Sequence, residues 1–165
     1  MKKYELLVED TITFFGVQLF RIKALISFSG IEKGEVGGYI ANEKNLSQSG
    51  NAWVSGNARV YGDAWVYGDA EVSGNARVSG NAWVSGNARV YGDADYIVFK
   101  NTWSSGRYFT YTKSNKKWRV GCFYGDGAEL VEKAYKDSKK SGDFYKAYVD
   151  FVEKLEEIEK IHKEQ

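Results

Sequence analysis

The chain has one cysteine, Cys122, and one histidine, His162, among its 165 residues. A lone cysteine forms no internal disulfide, and nothing at the N-terminus reads as a signal peptide, so the expected location is the cytoplasm. One Cys and one His cannot make a metal site by themselves. The aspartates Asp63, Asp69 and Asp93 do not supply the rest, because they are expected on different faces or give way to Asn in the next repeat. No apolar run approaches the ~20 residues needed to span a bilayer. A formal net charge of +1 supplies no field to steer nucleic acid, and it excludes a carboxylate-covered mimic of DNA.

What the chain has instead is a period. From Gly50 to Tyr91 seven hexads follow one another, each reading Gly, Asn or Asp, Ala, a variable residue, Val, and Ser or Tyr; an eighth begins at Gly92. Val54, Val60, Val66, Val72, Val78, Val84 and Val90 form one column, and Ala52 to Ala94 in steps of six form another. A β-branched residue suits the centre of a short strand, a small residue suits a corner, and Gly with Asn or Asp supplies positive φ for the turn. Each hexad is therefore one strand and one corner, with valine and alanine inward.

This pattern resembles the hexapeptide motif of left-handed β-helices, in which three hexads complete one triangular coil. The resemblance implies a mainly β protein with a short left-handed parallel β-helix of about three coils over residues 34–97. Counting back one coil places Val36 level with Val54, and Ile40 and Leu46 level with the alanine column. A stack open at both ends exposes strand edges, so the flanks are expected to cap it. Residues 1–33 read as a β-hairpin cap, with strands in "KYELLVED" and "GVQLFRIKALISF". Residues 98–165 read as an α+β unit of ββ(β)αα order. A capping box at Asp126 to Glu129 starts the first helix, and a break at Ser141-Gly142-Asp143 precedes a second with the stripe Tyr145, Tyr148, Phe151, Val152, Leu155 and Ile158. The whole chain also resembles a group of phage and prophage proteins, through "LFRIKAL", "KGEVGGYIANEKNLSQSGNAWV" and "GCFYGDGAELVEKAYK".

Residues 18 apart should lie above one another, with the residue before each valine and the one after it facing out. One face then carries Trp53, Glu71 and Arg89, a second Arg59 and Arg77 with Tyr61, and a third Trp65 and Trp83 with Tyr67. Trp65, Trp83, Tyr67 and Trp53 are candidate binding residues as an exposed aromatic strip. Arg59, Arg77, Tyr61 and Arg89 are candidates as an arginine face, since Trp, Tyr and Arg dominate interface hot spots. The strip could equally be covered by the C-terminal helices, or by a copy of the chain in the trimer usual for left-handed β-helices.

The acyltransferases that share such coils use a histidine near them as general base, and His162 lies far off in a charged tail. Ice-binding β-helices need threonine ladders, and residues 50–91 contain no threonine. Cys122 is expected to be a buried strand cysteine. The expectation is thus a non-enzymatic protein with no catalytic residue, cofactor or metal, forming a homo-oligomer in the bacterial cytoplasm. By its phage resemblance it would block a host protein, in particular a defence effector, as an anti-CRISPR does. Nucleotide or nucleic acid held at Arg59, Arg77 and Tyr61 is a narrower reading. A self-assembling β-helix trimer and a hexapeptide-type acyltransferase are the alternatives.

Overall fold

Valine at every sixth position, held at 0% exposure from Val54 to Val90, builds the interior of a β-solenoid. The structure, a computed structural model, describes residues 1–165. Seven two-residue strands follow the hexads: β4 (Trp53–Val54), β5 (Arg59–Val60), β6 (Trp65–Val66), β7 (Glu71–Val72), β8 (Arg77–Val78), β9 (Trp83–Val84) and β10 (Arg89–Val90). They pair in parallel with partners 18 residues on: Trp53 with Glu71 and then Arg89, Arg59 with Arg77, and Trp65 with Trp83. At the corners the glycines Gly50 to Gly86 all take positive φ, and Gly50, Gly56, Gly62 and Gly68 each lie over the glycine of the next coil, so closely that a Cβ on Gly50 would stand 2.8 Å from Gly68 O.

The N-terminal row differs from the expected register. Strand β3 (Val36–Ile40) pairs Ile40 with Val60, and Leu46 bridges to Val66, both offsets of 20 residues rather than 18. Ile40 and Leu46 therefore continue the valine columns, not the alanine columns. The two additional residues lie in the corner between Leu46 and Val54, where the chain runs through Ser47 to Asn51. Val36 is half exposed and pairs with Lys23 rather than standing over the Val54 column. The paired glycines of "EVGGYI" follow from crowding: a Cβ on Gly37 would lie 2.5 Å from Val54 O, and one on Gly38 2.8 Å from Ala58 O.

Strands β1 (Tyr4–Phe14) and β2 (Val17–Ala24) form an antiparallel hairpin about Phe15-Gly16. Strand β2 pairs antiparallel with β3, so the hairpin extends one solenoid sheet in the order β1-β2-β3-β5-β8. On the other side, the expected eighth hexad turns into a 3-10 segment, Asp93–Asp95. An antiparallel meander of β11 (Tyr96–Lys100), β12 (Tyr108–Thr112) and β13 (Lys117–Val120) follows.

The hydrogen-bond polarity of the stack explains the composition of its caps. The N–H groups that flank the valine ladders donate forward, as in Trp53 N to Ala70 O at 3.0 Å and Trp65 N to Ala82 O at 2.9 Å. The N-terminal end thus presents carbonyls and meets side-chain donors. Lys3 Nζ donates to Ala52 O (2.7 Å) and Gly50 O (3.3 Å), Tyr4 Oη to Leu46 O (2.6 Å), and Arg21 to Gly56 O (3.1 Å). The C-terminal end presents mostly N–H groups and meets acceptors, while Arg77 O accepts from the Tyr96 hydroxyl at 2.9 Å. Arg77 N donates to Asp93 Oδ1 (2.8 Å), Ser79 N to Tyr96 Oη (3.3 Å), Trp83 N to Thr110 Oγ1 (2.9 Å), Arg89 N to Ser114 Oγ (2.8 Å) and Tyr91 N to Asp95 Oδ2 (2.7 Å). Paired edge groups give another strand nothing to add to.

Contacts divide the chain into two units, Met1–Cys122 and Phe123–Gln165. The second unit holds the short strand β14 (Phe123–Gly125) and helices α1 (Gly127–Asp137) and α2 (Lys139–Lys163). The capping box at Asp126 and Glu129 forms as expected, with Glu129 N donating to Asp126 Oδ1 at 2.9 Å. The break between the helices falls at Ser138, not at Ser141-Gly142-Asp143. Ser138 Oγ caps α2 by accepting from Ser141 N (3.0 Å), while Gly142 lies inside α2 against the ring of Tyr135, so close that a Cβ would stand 2.1 Å from Tyr135 Cδ1. That glycine serves packing rather than chain reversal. Val149 and Val152 are buried, whereas Phe151 and Ile158 of the expected stripe are exposed.

Candidate functional site

The three solenoid faces differ in what covers them. On the face of β4, β7 and β10, Trp53 is 3% exposed, contrary to its expected place in an exposed strip. Phe28 and Tyr4 pack edge-on against it at 5.4 and 6.4 Å, because the hairpin and the segment after it fold across the first coil. Glu71 and Arg89 of the same face approach to 3.8 Å as an exposed ion pair.

On the face of β3, β5 and β8, Arg59 and Arg77 do stand side by side in register. Neither is a bare cation. The Arg59 guanidinium lies 4.3 Å from the centre of the Phe14 ring, which is edge-on to Tyr61 at 5.8 Å. The Arg77 guanidinium is clasped by Asp93 Oδ2 through Nε and Nη2. That hydrogen bond holds the Asp93 carboxyl below the ordinary carboxylate range and raises Arg77 above its own. Arg21 is likewise stacked on Tyr39 at 4.2 Å. An anion arriving at this face would have to displace Asp93 from Arg77.

On the face of β6 and β9, the aromatic strip forms and acquires neighbours that the repeat alone does not contain. Trp65 stacks on Tyr67 at 3.9 Å and 21°, and meets Trp83 edge-on at 5.5 Å and 89°. Arg119 of β13 extends the series, its guanidinium 5.3 Å from the Tyr67 ring centre. The order along the face is thus Trp83, Trp65, Tyr67, Arg119. Trp65 and Tyr67 are partly covered, and Trp83 is 38% exposed. Strand β12 is tied to this edge by the Trp83 N to Thr110 Oγ1 hydrogen bond. The expected coverings of the strip were the C-terminal helices or a second copy; within the first unit it is the meander that supplies Arg119.

Where the meander meets β9 a cleft of about 210 Å³ opens, lined by Asn81, Trp83, Arg107, Tyr108, Arg119 and Gly121. Its two cations have no carboxylate partner, since no ion pair includes Arg107 or Arg119. Arg119 Nε and the Tyr67 hydroxyl are buried with no hydrogen-bond partner, as are Trp53 Nε1 and Arg59 Nε on the other faces. The stem of Arg107 lies against Gly121, whose φ is +58 and whose Cβ position would be 3.5 Å from Arg107 Cδ. Sequence reasoning missed Arg107, Tyr108, Arg119 and Asn81. "RYFTYT" and "KWRV" read as alternating strands, and nothing in that alternation says which solenoid face they reach.

Cys122, expected to be buried, is exposed beside the Gly121 turn. It ends the run after β13 rather than occupying a strand interior. His162 is exposed near the end of α2. No group of three or more His, Cys, Asp or Glu side chains converges as metal ligands would, and no helix is long and apolar enough to cross a membrane.

No curated protein matches the chain. Two consecutive stretches, residues 52–68 and 70–86, are similar to the YdcK beta solenoid repeat, and both lie within the paired coils described above.

Proposed function

We propose that this chain is a non-catalytic binding protein: a closed, left-handed, three-sided coil, sealed at both ends, that presents the cleft beside β9 to its partner. The strict valine and alanine columns and the 18-residue pairing support the closed coil, and the hexapeptide resemblance supports its left hand. One observation carries the binding reading. Exposed Trp83 and Tyr108 adjoin two arginines that have no carboxylate partner, and Trp, Tyr and Arg are the residue types that anchor interfaces. Side-chain caps on both strand edges weigh against an open end-to-end polymer. The resemblance to phage and prophage proteins makes the partner a component of the bacterial host. A defence effector such as a CRISPR nuclease is the first candidate, met in the cytoplasm.

The test pairs capture from host lysate with sedimentation, comparing wild type with the Trp83→Ala/Tyr108→Ala double variant. A host protein retained by wild type and lost by a variant of unchanged sedimentation supports the reading. A smaller sedimenting species means that the cleft is a seam between copies, and equal capture by both means that this face binds nothing; either outcome overturns it.

A further inference from the structure

We infer that the cleft between β9 and the meander is a binding site for a small nucleotide, a planar base bearing one or two phosphates. This rests on the binding reading above and names the chemistry that the site takes. Three features converge. The cations are the first. Arg107 and Arg119 line one cleft without a carboxylate to neutralise them, whereas the solenoid arginines Arg77 and Arg89 are paired with acids and Arg59 is stacked on Phe14. Guanidinium groups bind phosphate oxygens through paired N–H donors. Arg119 is already oriented by the Tyr67 ring, and the exposed Arg107 side chain lies beside Gly121.

The second feature is the unmet hydrogen-bonding demand at Arg119 Nε and Tyr67 Oη, both buried and without partners. Of the two residues only Arg119 lines the cleft, and a phosphate oxygen there is an acceptor for its guanidinium. The third is the planar wall. Trp83 and Tyr108, 38% and 37% exposed, are rings of the kind on which bases stack, and Lys100 Nζ lies over one face of Tyr108 at 5.9 Å. Asn81 adds one amide, a paired donor and acceptor suited to a base edge. Size and charge choose a small nucleotide over a strand. A cleft of about 210 Å³ takes part of one nucleotide rather than a run of bases. Two cations on a chain of net charge +1 make too small a footprint for a polyanion.

The experiment titrates the full chain with the four nucleoside 5′-monophosphates, a nucleoside diphosphate, adenosine, inorganic phosphate and a short single-stranded oligonucleotide. The indole N–H resonance of Trp83, assigned from Trp83→Phe, is followed by NMR. At least one nucleotide should shift it saturably. Arg107→Ala and Arg119→Ala should each weaken that binding tenfold or more, and adenosine and phosphate alone should bind far more weakly. Absence of any shift at millimolar nucleotide, or equal affinity in both arginine variants, overturns the assignment. Tighter binding of the oligonucleotide with a steep salt dependence also overturns it, in favour of nucleic acid. Host-protein capture that still depends on Trp83 and Tyr108 while no nucleotide binds would sink the ligand assignment alone; if that capture fails as well, the binding reading falls with it.

Discussion

Thr110→Val tests the idea that side chains stand in for a missing fourth coil. The substitution keeps the shape of the side chain and removes one atom, the Oγ1 that accepts from Trp83 N at 2.9 Å. Thr110 is 2% exposed, so water cannot readily replace the lost acceptor. Stranding a buried donor costs about 1–3 kcal/mol, and the added methyl returns up to ~0.8 kcal/mol through its own burial. The net loss should be about 1–2 kcal/mol, which in a chain of this size lowers the melting temperature by roughly 2–8 °C. Ser114→Ala is the matched control. It removes the acceptor of Arg89 N, a bond of the same kind at 2.8 Å but exposed to solvent; water takes over there, and the loss should stay within ~0.5 kcal/mol. Urea unfolding followed by circular dichroism, with equal m-values in all three proteins, measures both. Equal losses from the two variants, or an unaltered midpoint for Thr110→Val, would refute the reasoning that the meander completes the final coil's hydrogen bonding.

The remaining expectations follow from the same geometry. Val72→Asp places a carboxylate at 0% exposure between Val54 and Val90 and should cost several kcal/mol, while Ser73→Asp, at a partly exposed position, should cost under ~1 kcal/mol; similar denaturation midpoints would mean that the interior phase is wrong. Lys3 is buried against Ala52 O and Gly50 O, and burial pushes its pKa down from 10.5 to about 8. Between those values the folded amine is neutral while the unfolded one holds a proton, so stability should rise with pH. From pH ~7 to ~9.5 the gain should be about 1–2 kcal/mol. Lys3→Met should abolish that rise, and a wild-type stability that falls over the window contradicts the assignment. Cys122 is exposed, so it should react with an aromatic disulfide reagent in the native protein at the rate of an open thiol; protection until unfolding would count against its placement.

The sequence alone determined whatever depends on neighbours in the chain or on a strict period. A residue recurring every sixth position must occupy equivalent sites on successive corners, so the valine and alanine columns, the pairing of Trp65 with Trp83 and that of Arg59 with Arg77 are all readable from spacing. The cap of α1 is readable too, because Asp126 and Glu129 satisfy each other's backbone within one turn. Only the tertiary structure decided which outward positions remain outward. Trp53 and Trp83 occupy the same place in the hexad, yet Trp53 is buried by Phe28 and Tyr4 from the N-terminal segment and Trp83 is left at a cleft edge. Arg77 is neutralised by Asp93, whereas Arg107 and Arg119 meet at the cleft without an acid. The two-residue enlargement between Leu46 and Val54 was hidden because Leu46 is apolar enough to suit either column. Local spacing carries the repeat, whose hydrogen bonds run between equivalent residues. The site arises where the repeat stops, and there unpaired N–H groups and open ring faces are met by segments whose approach no period encodes.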